Sequence, residues 1–213
     1  MSSFASSIPE VPPPPALYFE KQELMKCLQH SLNNMLGSSV FSVSELNSAS
    51  SLVQSNEPPV ESSTGSSLFS RLFAQLYTPS AIALVGAWDV NTLIVACDRR
   101  GIDVRWSSAS GLILDVRAQD FVGIVLNEPS KGLWGRVAAS RHWTSCRKVA
   151  GEWYYFDSNL NGPTRIAAGS GDKQDEEPED KDDAATLALL RFVKDLVADR
   201  NVHVFVATRR DDM

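Results

Sequence analysis

Apolar positions follow a helical period in the first half of the chain and alternate along strands in the second. In residues 22–36, Leu24, Leu28, Leu32 and Met35 recur every three to four positions and predict an amphipathic helix. A second helix is expected over 43–53, with Val43, Leu46 and Val53 apolar and Ser42 or Ser44 as cap. Residues 55–67 (SNEPPVESSTGSS) read as loop, and 68–77 (LFSRLFAQLY) as a short amphipathic helix closed by Pro79. Residues 89–100 predict a helix capped by Asp89, with Val90, Leu93, Ile94 and Cys97 on one face and Gly101 as a left-handed stop. Strands are then expected at 102–106, 121–127, 142–149, 152–158 and 202–208. An amphipathic helix over 184–201, with Asp183 as cap, separates the last two. Helices first and strands later predict an α+β fold, with a helical half packed on a mostly antiparallel sheet.

Composition narrows this picture. The chain has 213 residues, 43% hydrophobic and 22% charged, enough for one domain with a real core. No apolar run approaches the roughly 20 residues of a membrane span. Residues 1–17 have no basic start and no long apolar stretch, so they do not read as a secretory signal. The four prolines at 12–15 favour a disordered Pro/Ser-rich tail, with the domain proper at 18–208. The net charge of −6 is concentrated in 169–183, which holds eight acidic and two basic residues and reads as a solvated loop. The remainder is near neutral, so no basic patch points to nucleic acid. Three cysteines, an odd number, favour a reducing compartment: a cytoplasmic setting, with the nucleus as an alternative. Neither the cysteines nor His30, His142 and His203 have metal-ligand spacing, and no cofactor is expected.

Chemistry enters through Cys27. A thiolate is the nucleophilic form of cysteine, and a histidinium or a helix N-terminus stabilises it. Cys27 falls in the first turns of a predicted helix, whereas Cys97 reads as a small buried apolar residue and Cys146 as a core or sheet residue. A tight turn near Val149–Gly151 folds the 142–149 and 152–158 strands together. It sets His142 opposite either Asp157 or Asn159, depending on register, because both share its face. A histidine beside a carboxylate or amide is the second half of a triad. Gln22, five residues before Cys27, offers an amide donor that pairs with the Cys27 backbone N–H as an oxyanion site. In chain order the parts are donor, nucleophile, base and orienter, as in a papain-like thiol hydrolase.

Several blocks carry a family resemblance. EKQELMKCLQHSLNNML resembles the start of a Josephin domain, roughly E-K/R-Q, then Cys, then H-x-L-N-N-x-L. GAWDVNTLIVACDRRGIDVRW, GIVLNEPS, RHWTSCRKV and WYYFDSNLNGP resemble its later blocks in the same order, covering most of residues 18–208. The likeness is to the short, stand-alone type, as distinct from the ataxin-3 type. It implies a papain-like cysteine protease fold and a cysteine deubiquitinase: Cys27 as nucleophile, His142 as base, Asp157 as orienter and Gln22 in the oxyanion hole, with Asn159 the lesser candidate. It implies ubiquitin and ubiquitin-conjugated proteins as partners of a monomer. A narrow cleft is expected, since only the thin Gly-Gly backbone of the tail must pass, and the Ser-rich 55–80 region is expected to form a helical arm over it. Leu28 follows the cysteine where the family usually carries a small alanine, Lys26 precedes it, Ala87-Trp88 replaces an Asn-Tyr pair, and 169–183 looks like an insertion. His30 reads as structural, Trp143 as packing beside the histidine and His203 as a sheet residue. Two other functions compete: a ubiquitin-binding module with weak or lost catalysis, and a thiol hydrolase acting on another peptide or amide.

Overall fold

A computed structural model describes residues 17–56, 88–108, 111–112, 116–130, 141–167 and 181–210. The expected tail before Leu17, the loop from 57 on, the 68–77 helix and residues 169–180 of the acidic stretch lie outside the described residues. The described elements, in chain order, are α1 (Cys27–Leu36), α2 (Val43–Asn56), α3 (Val90–Asp98), β1 (Ile102–Ser107), β2 (Phe121–Pro129), β3 (Arg141–Val149), β4 (Glu152–Phe156), β5 (Thr164–Arg165), α4 (Lys181–Arg200) and β6 (His203–Arg209). The six strands form one sheet in the order β1-β6-β2-β3-β4-β5, every pair antiparallel.

Helices cover both faces of this sheet. Leu28, Leu32 and Met35 of α1, Leu46 and Ala49 of α2, and Leu93, Ala96 and Cys97 of α3 pack with Val125, Trp143, Phe205 and Ala207. On the opposite face, Leu189, Val193 and Leu196 of α4 pack with Ile124, Leu126, Cys146, Tyr155 and Val206. The helical half expected from the sequence is therefore only one of two layers. Burial on both faces explains why β2 and β6 read as nearly unbroken apolar runs. Each fully buried aliphatic side chain in these layers contributes roughly 1.5–3 kcal/mol over an exposed one.

Local chemistry sets the element ends. Ser42, not Ser44, caps α2: its backbone N–H and hydroxyl both donate to Glu45 Oε2, at 2.9 and 2.8 Å, and the Glu45 N–H donates back at 3.3 Å, a capping box. That helix runs on through Ser55 and Asn56, beyond the expected end. Asp89 caps α3 by accepting from the Thr92 N–H at 2.8 Å, and Gly101 takes φ +66° after the helix. Ile94, placed on the apolar face from sequence, is 41% exposed. The last helix begins at Lys181, so Asp183 lies within its first turn rather than capping it, and pairs with Arg117 at 2.8 Å. The two-residue β5 carries no strand signal in the sequence.

The β3–β4 hairpin pairs Val149 with Glu152, which leaves Ala150-Gly151 as a two-residue turn with φ +50° and +85°. Positive φ at both positions is the type I′ geometry, which favours Asn-Gly. Alanine pays a Cβ clash at that first position. Ala150→Asn is expected to stabilise the domain by roughly 0.5–1 kcal/mol, read as a higher melting temperature, with no change at the cleft.

Candidate active site

The chain reaches α1 later than its apolar period suggests. Residues 20–26 are not helical, Leu24 is 73% exposed at φ +57°, and Cys27 is the first residue of the helix. Lys26 provides no side-chain cap, and the first helical hydrogen bond runs from the His30 N–H to the Lys26 carbonyl at 3.1 Å. The first-turn N–H groups and the positive end of the helix dipole are thus presented beside the Cys27 sulfur, where they favour an anion. Leu28, one residue on, is fully buried in the core and does not narrow the site.

A polar network pins the segment before the helix onto α1. Glu20 Oε2 accepts from His30 Nδ1 at 2.7 Å, and both Glu20 oxygens accept from Asn33 Nδ2, at 3.0 and 3.1 Å. Asn34 closes a second pair with the Glu20 backbone, accepting from its N–H at 2.6 Å and donating to its carbonyl at 3.1 Å. Asn33 also accepts from the Val40 and Phe41 N–H groups at 3.0 and 2.7 Å. His30 is structural, as expected, and the E-K-Q and H-x-L-N-N blocks acquire one physical meaning: they tie the segment that carries Gln22 onto the helix that begins at Cys27. No role was assigned to Glu20, Asn33 or Asn34 from sequence, because reciprocal hydrogen bonds between a non-helical segment and a helix leave no periodic signal.

His142 comes from the first turn of strand after Arg141. Its neighbour Trp143 is buried, and the indole N–H donates to the Trp88 carbonyl at 3.0 Å, which anchors the start of β3. The hairpin register, Ser145 with Phe156, counts out to His142 opposite Asn159. The ladder stops at Phe156, short of the 158 expected, and the Leu160 N–H bonds back to the Asp157 carbonyl at 2.9 Å. That turn brings the Asp157 carboxylate, not the amide, onto the ring: His142 Nε2 donates to Asp157 Oδ1 at 2.7 Å, while Asn159 Nδ2 stands 3.2 Å from the same nitrogen. The Asn159 backbone N–H holds Asp157 Oδ1 at 3.0 Å.

The Cys27 side chain lies close enough to the same imidazole to favour its charged form. With Nε2 taken by Asp157, Nδ1 is the nitrogen left for the sulfur. Burial of the ring opposes its positive charge, but the Asp157 hydrogen bond and the Cys27 contact outweigh burial and push the His142 pKa up to about 9. His142 is therefore an imidazolium at neutral pH. The other thiols are disposed differently: burial pushes Cys97 up to about 12, and burial followed by the nearby Glu128 also pushes Cys146 upward. Both stay neutral and inaccessible, whereas Cys27 is partly exposed.

Gln22 lies against the loop that carries Asp157. Its backbone N–H donates to the Ser158 carbonyl at 2.7 Å, its Oε1 accepts from Ser158 Oγ at 3.1 Å, and its Nε2 donates to the Leu24 carbonyl at 2.7 Å. Cys27, His142 and Asp157 thus meet at one locus, and Gln22 is tied to it through Ser158, the residue after Asp157. Sequence reasoning missed two supporting groups there. One is Ser158. The other is Glu128, a buried carboxylate paired across the strands with His142, which accepts from Thr144 Oγ1 and the Tyr155 hydroxyl, each at 2.7 Å. Burial and Glu128 together drive the Tyr155 pKa upward, so the phenol stays a donor.

An α+β domain that sets a helix-start cysteine against a histidine and a strand-end carboxylate has the papain-like architecture. Sequence comparison narrows the class: the Josephin family model matches residues 22–170, and the chain belongs to the Josephin family. It is 37% identical over 155 residues to a Josephin-like protein of Arabidopsis thaliana, covering 69% of this chain but 40% of that protein, so the match spans well under half of its length. It is 28% identical over 170 residues to mouse Josephin-2, covering 78% of this chain and 81% of that protein. For human Josephin-2 the identity is 28% over 163 residues, covering 75% and 78%. The family is associated with deubiquitination, which fits the cysteine-protease kind of site described above.

Proposed function

We propose that this chain is a deubiquitinating cysteine protease that hydrolyses the bond after the C-terminal glycine of ubiquitin, in ubiquitin-conjugated proteins or chains, through a thioester. The observation that carries this reading is the His142–Asp157 hydrogen bond at 2.7 Å, with the Cys27 sulfur beside the same ring at an uncapped helix start. The Cys27 thiolate attacks the glycine carbonyl carbon, forming the C–S bond and an oxyanion. The Cys27 N–H and the free second N–H of the Gln22 amide stabilise that oxyanion. The His142 imidazolium gives its proton to the departing lysine amine as the C–N bond breaks, leaving the thioester. The now neutral His142 then takes a proton from water, whose oxygen attacks the thioester. Collapse breaks the C–S bond, releases the ubiquitin carboxylate and restores the ion pair. Asp157 holds the ring in the tautomer and orientation both steps need. Leu24, Met25 and Leu160, exposed by 73%, 44% and 43%, give the residues around Gln22, Cys27 and Asp157 an apolar rim for the incoming tail.

The test is a ubiquitin carrying an electrophile in place of its terminal carboxylate. The expected result is a covalent adduct one ubiquitin heavier, mapped by mass spectrometry to Cys27. Saturable binding without an adduct would instead make the domain a ubiquitin-binding module. The absence of both would overturn the ubiquitin assignment and leave a thiol hydrolase for another amide.

A further inference from the structure

We propose that Ser158 is a positioning residue that fixes the Gln22 amide for oxyanion binding, so that one short loop sets both the acid and the oxyanion sides of the cleft. The inference rests on the deubiquitinase reading above. Ser158 is 1% exposed and sits between Asp157 and Asn159, the two residues whose side chains stand at His142 Nε2. It meets Gln22 twice: its carbonyl accepts the Gln22 backbone N–H at 2.7 Å, and its hydroxyl donates to Gln22 Oε1 at 3.1 Å. One residue pair is therefore tied through both main chain and side chain across 136 positions of sequence. Lys21 Nζ extends the same seam, donating to Asn161 Oδ1 at 2.8 Å.

The polarity of these bonds fixes which way the amide faces. The Leu24 carbonyl can only accept, so the atom 2.7 Å from it is the amide nitrogen. Oε1 must then be the atom facing Ser158, and the hydroxyl must be the donor. With the oxygen held by Ser158 and one N–H held by Leu24, the second N–H of Gln22 keeps a single direction. A donor aimed before the reaction needs no reorganisation when the oxyanion forms. Leu24 reaches this contact in a left-handed conformation, φ +57°, that leucine rarely adopts. Strain of that kind persists where the surrounding contacts over-determine the backbone. Without the Ser158 hydroxyl, Oε1 loses its partner and the amide is held at one end only.

The experiment is steady-state kinetics of the full chain on a fluorogenic ubiquitin C-terminal amide, as a double-mutant cycle. It is run at a temperature where circular dichroism shows all variants folded. Gln22→Ala is expected to lower kcat by about 100-fold. Ser158→Ala should lower kcat by about tenfold with KM within twofold. In the Gln22→Ala background, Ser158→Ala should cost less than twofold more, because its effect passes through the amide. Ser158→Thr, which keeps the hydroxyl, should recover most of the loss. The alkaline limb of the pH profile should not move, because the His142–Asp157 pair is untouched. Fully multiplicative losses, a shifted alkaline limb, or a Ser158→Ala kcat within twofold of the parent would each overturn the proposal. These outcomes leave the deubiquitinase reading standing, because that reading fails at Cys27 and the ubiquitin probe instead.

Discussion

Cys27→Ala is expected to lower hydrolysis of ubiquitin conjugates by on the order of 10⁴-fold or more, while the fold stays intact. On the proposed mechanism the sulfur forms the covalent intermediate, so its loss leaves oriented donors with nothing to activate. The fold should tolerate the change for two reasons. Position 27 is the first residue of α1 and only partly buried, so a modest contact is lost at the edge of the core. Alanine is also the best helix former, which offsets part of that loss. The net change in stability should stay within about 1 kcal/mol. Ubiquitin binding should survive, since the change removes only a sulfur from a partly exposed position. The measurement is turnover of di-ubiquitin beside a thermal melt and a binding titration. A variant that keeps parental turnover would remove Cys27 from the mechanism, and an adduct still formed by the electrophilic ubiquitin would point to another thiol.

His142→Ala should cost on the order of 10³- to 10⁴-fold, through loss of both the thiolate's partner and the proton for the leaving amine. The parent should show an alkaline limb near pH 9, because on the proposed mechanism the ring gives its proton to the departing amine. The same group links stability to pH. Its folded-state pKa lies above the ordinary 6.5, so its contribution is complete below pH 6.5 and is lost as pH rises through about 9. At 1.36 kcal/mol per unit, the shift bounds that contribution at about 3 kcal/mol. Thermal melts of the parent between pH 6.5 and 9 should therefore fall, and those of His142→Ala should be flatter over the same window. A parent melt that does not decline across this range would count against the ion pair.

The electrostatics add a point about selectivity among thiols. Cys97 and Cys146 are fully buried, and desolvation holds both as neutral thiols, while Cys27 alone combines access with a cationic neighbour. A chain with three cysteines thus presents one nucleophile without needing a disulfide or a metal to silence the others.

Much of this was legible in the letters because it obeys short-range rules. Period and alternation located the main strands and, apart from the start of α1, the described helices to within a few residues. Asp89 and Gly101 mark the ends of α3 through cap and left-handed chemistry that depends on local backbone alone. The parity of His142 and Asp157 restricted the third triad member to two candidates. The blocks around Cys27 and His142 named the Josephin family in advance of any coordinates.

Other features depend on contacts between residues far apart in the chain, which carry no local pattern. The apolar spacing of 22–36 hides the break at Leu24, since a helix and an exposed left-handed turn can share the same letters; Glu20, His30 and Asn34 choose the turn and thereby put Cys27 at the helix start. Register alone favours Asn159, and the early end of β4 hands the imidazole to Asp157 instead. Ser158 and Glu128 look like ordinary polar residues until folding closes gaps of 136 and 27 positions and leaves each one next to a partner it must satisfy. Backbone propensity acts over a few residues, whereas the need to pair a buried polar group acts across the whole fold, and the arrangement of this cleft belongs to the second.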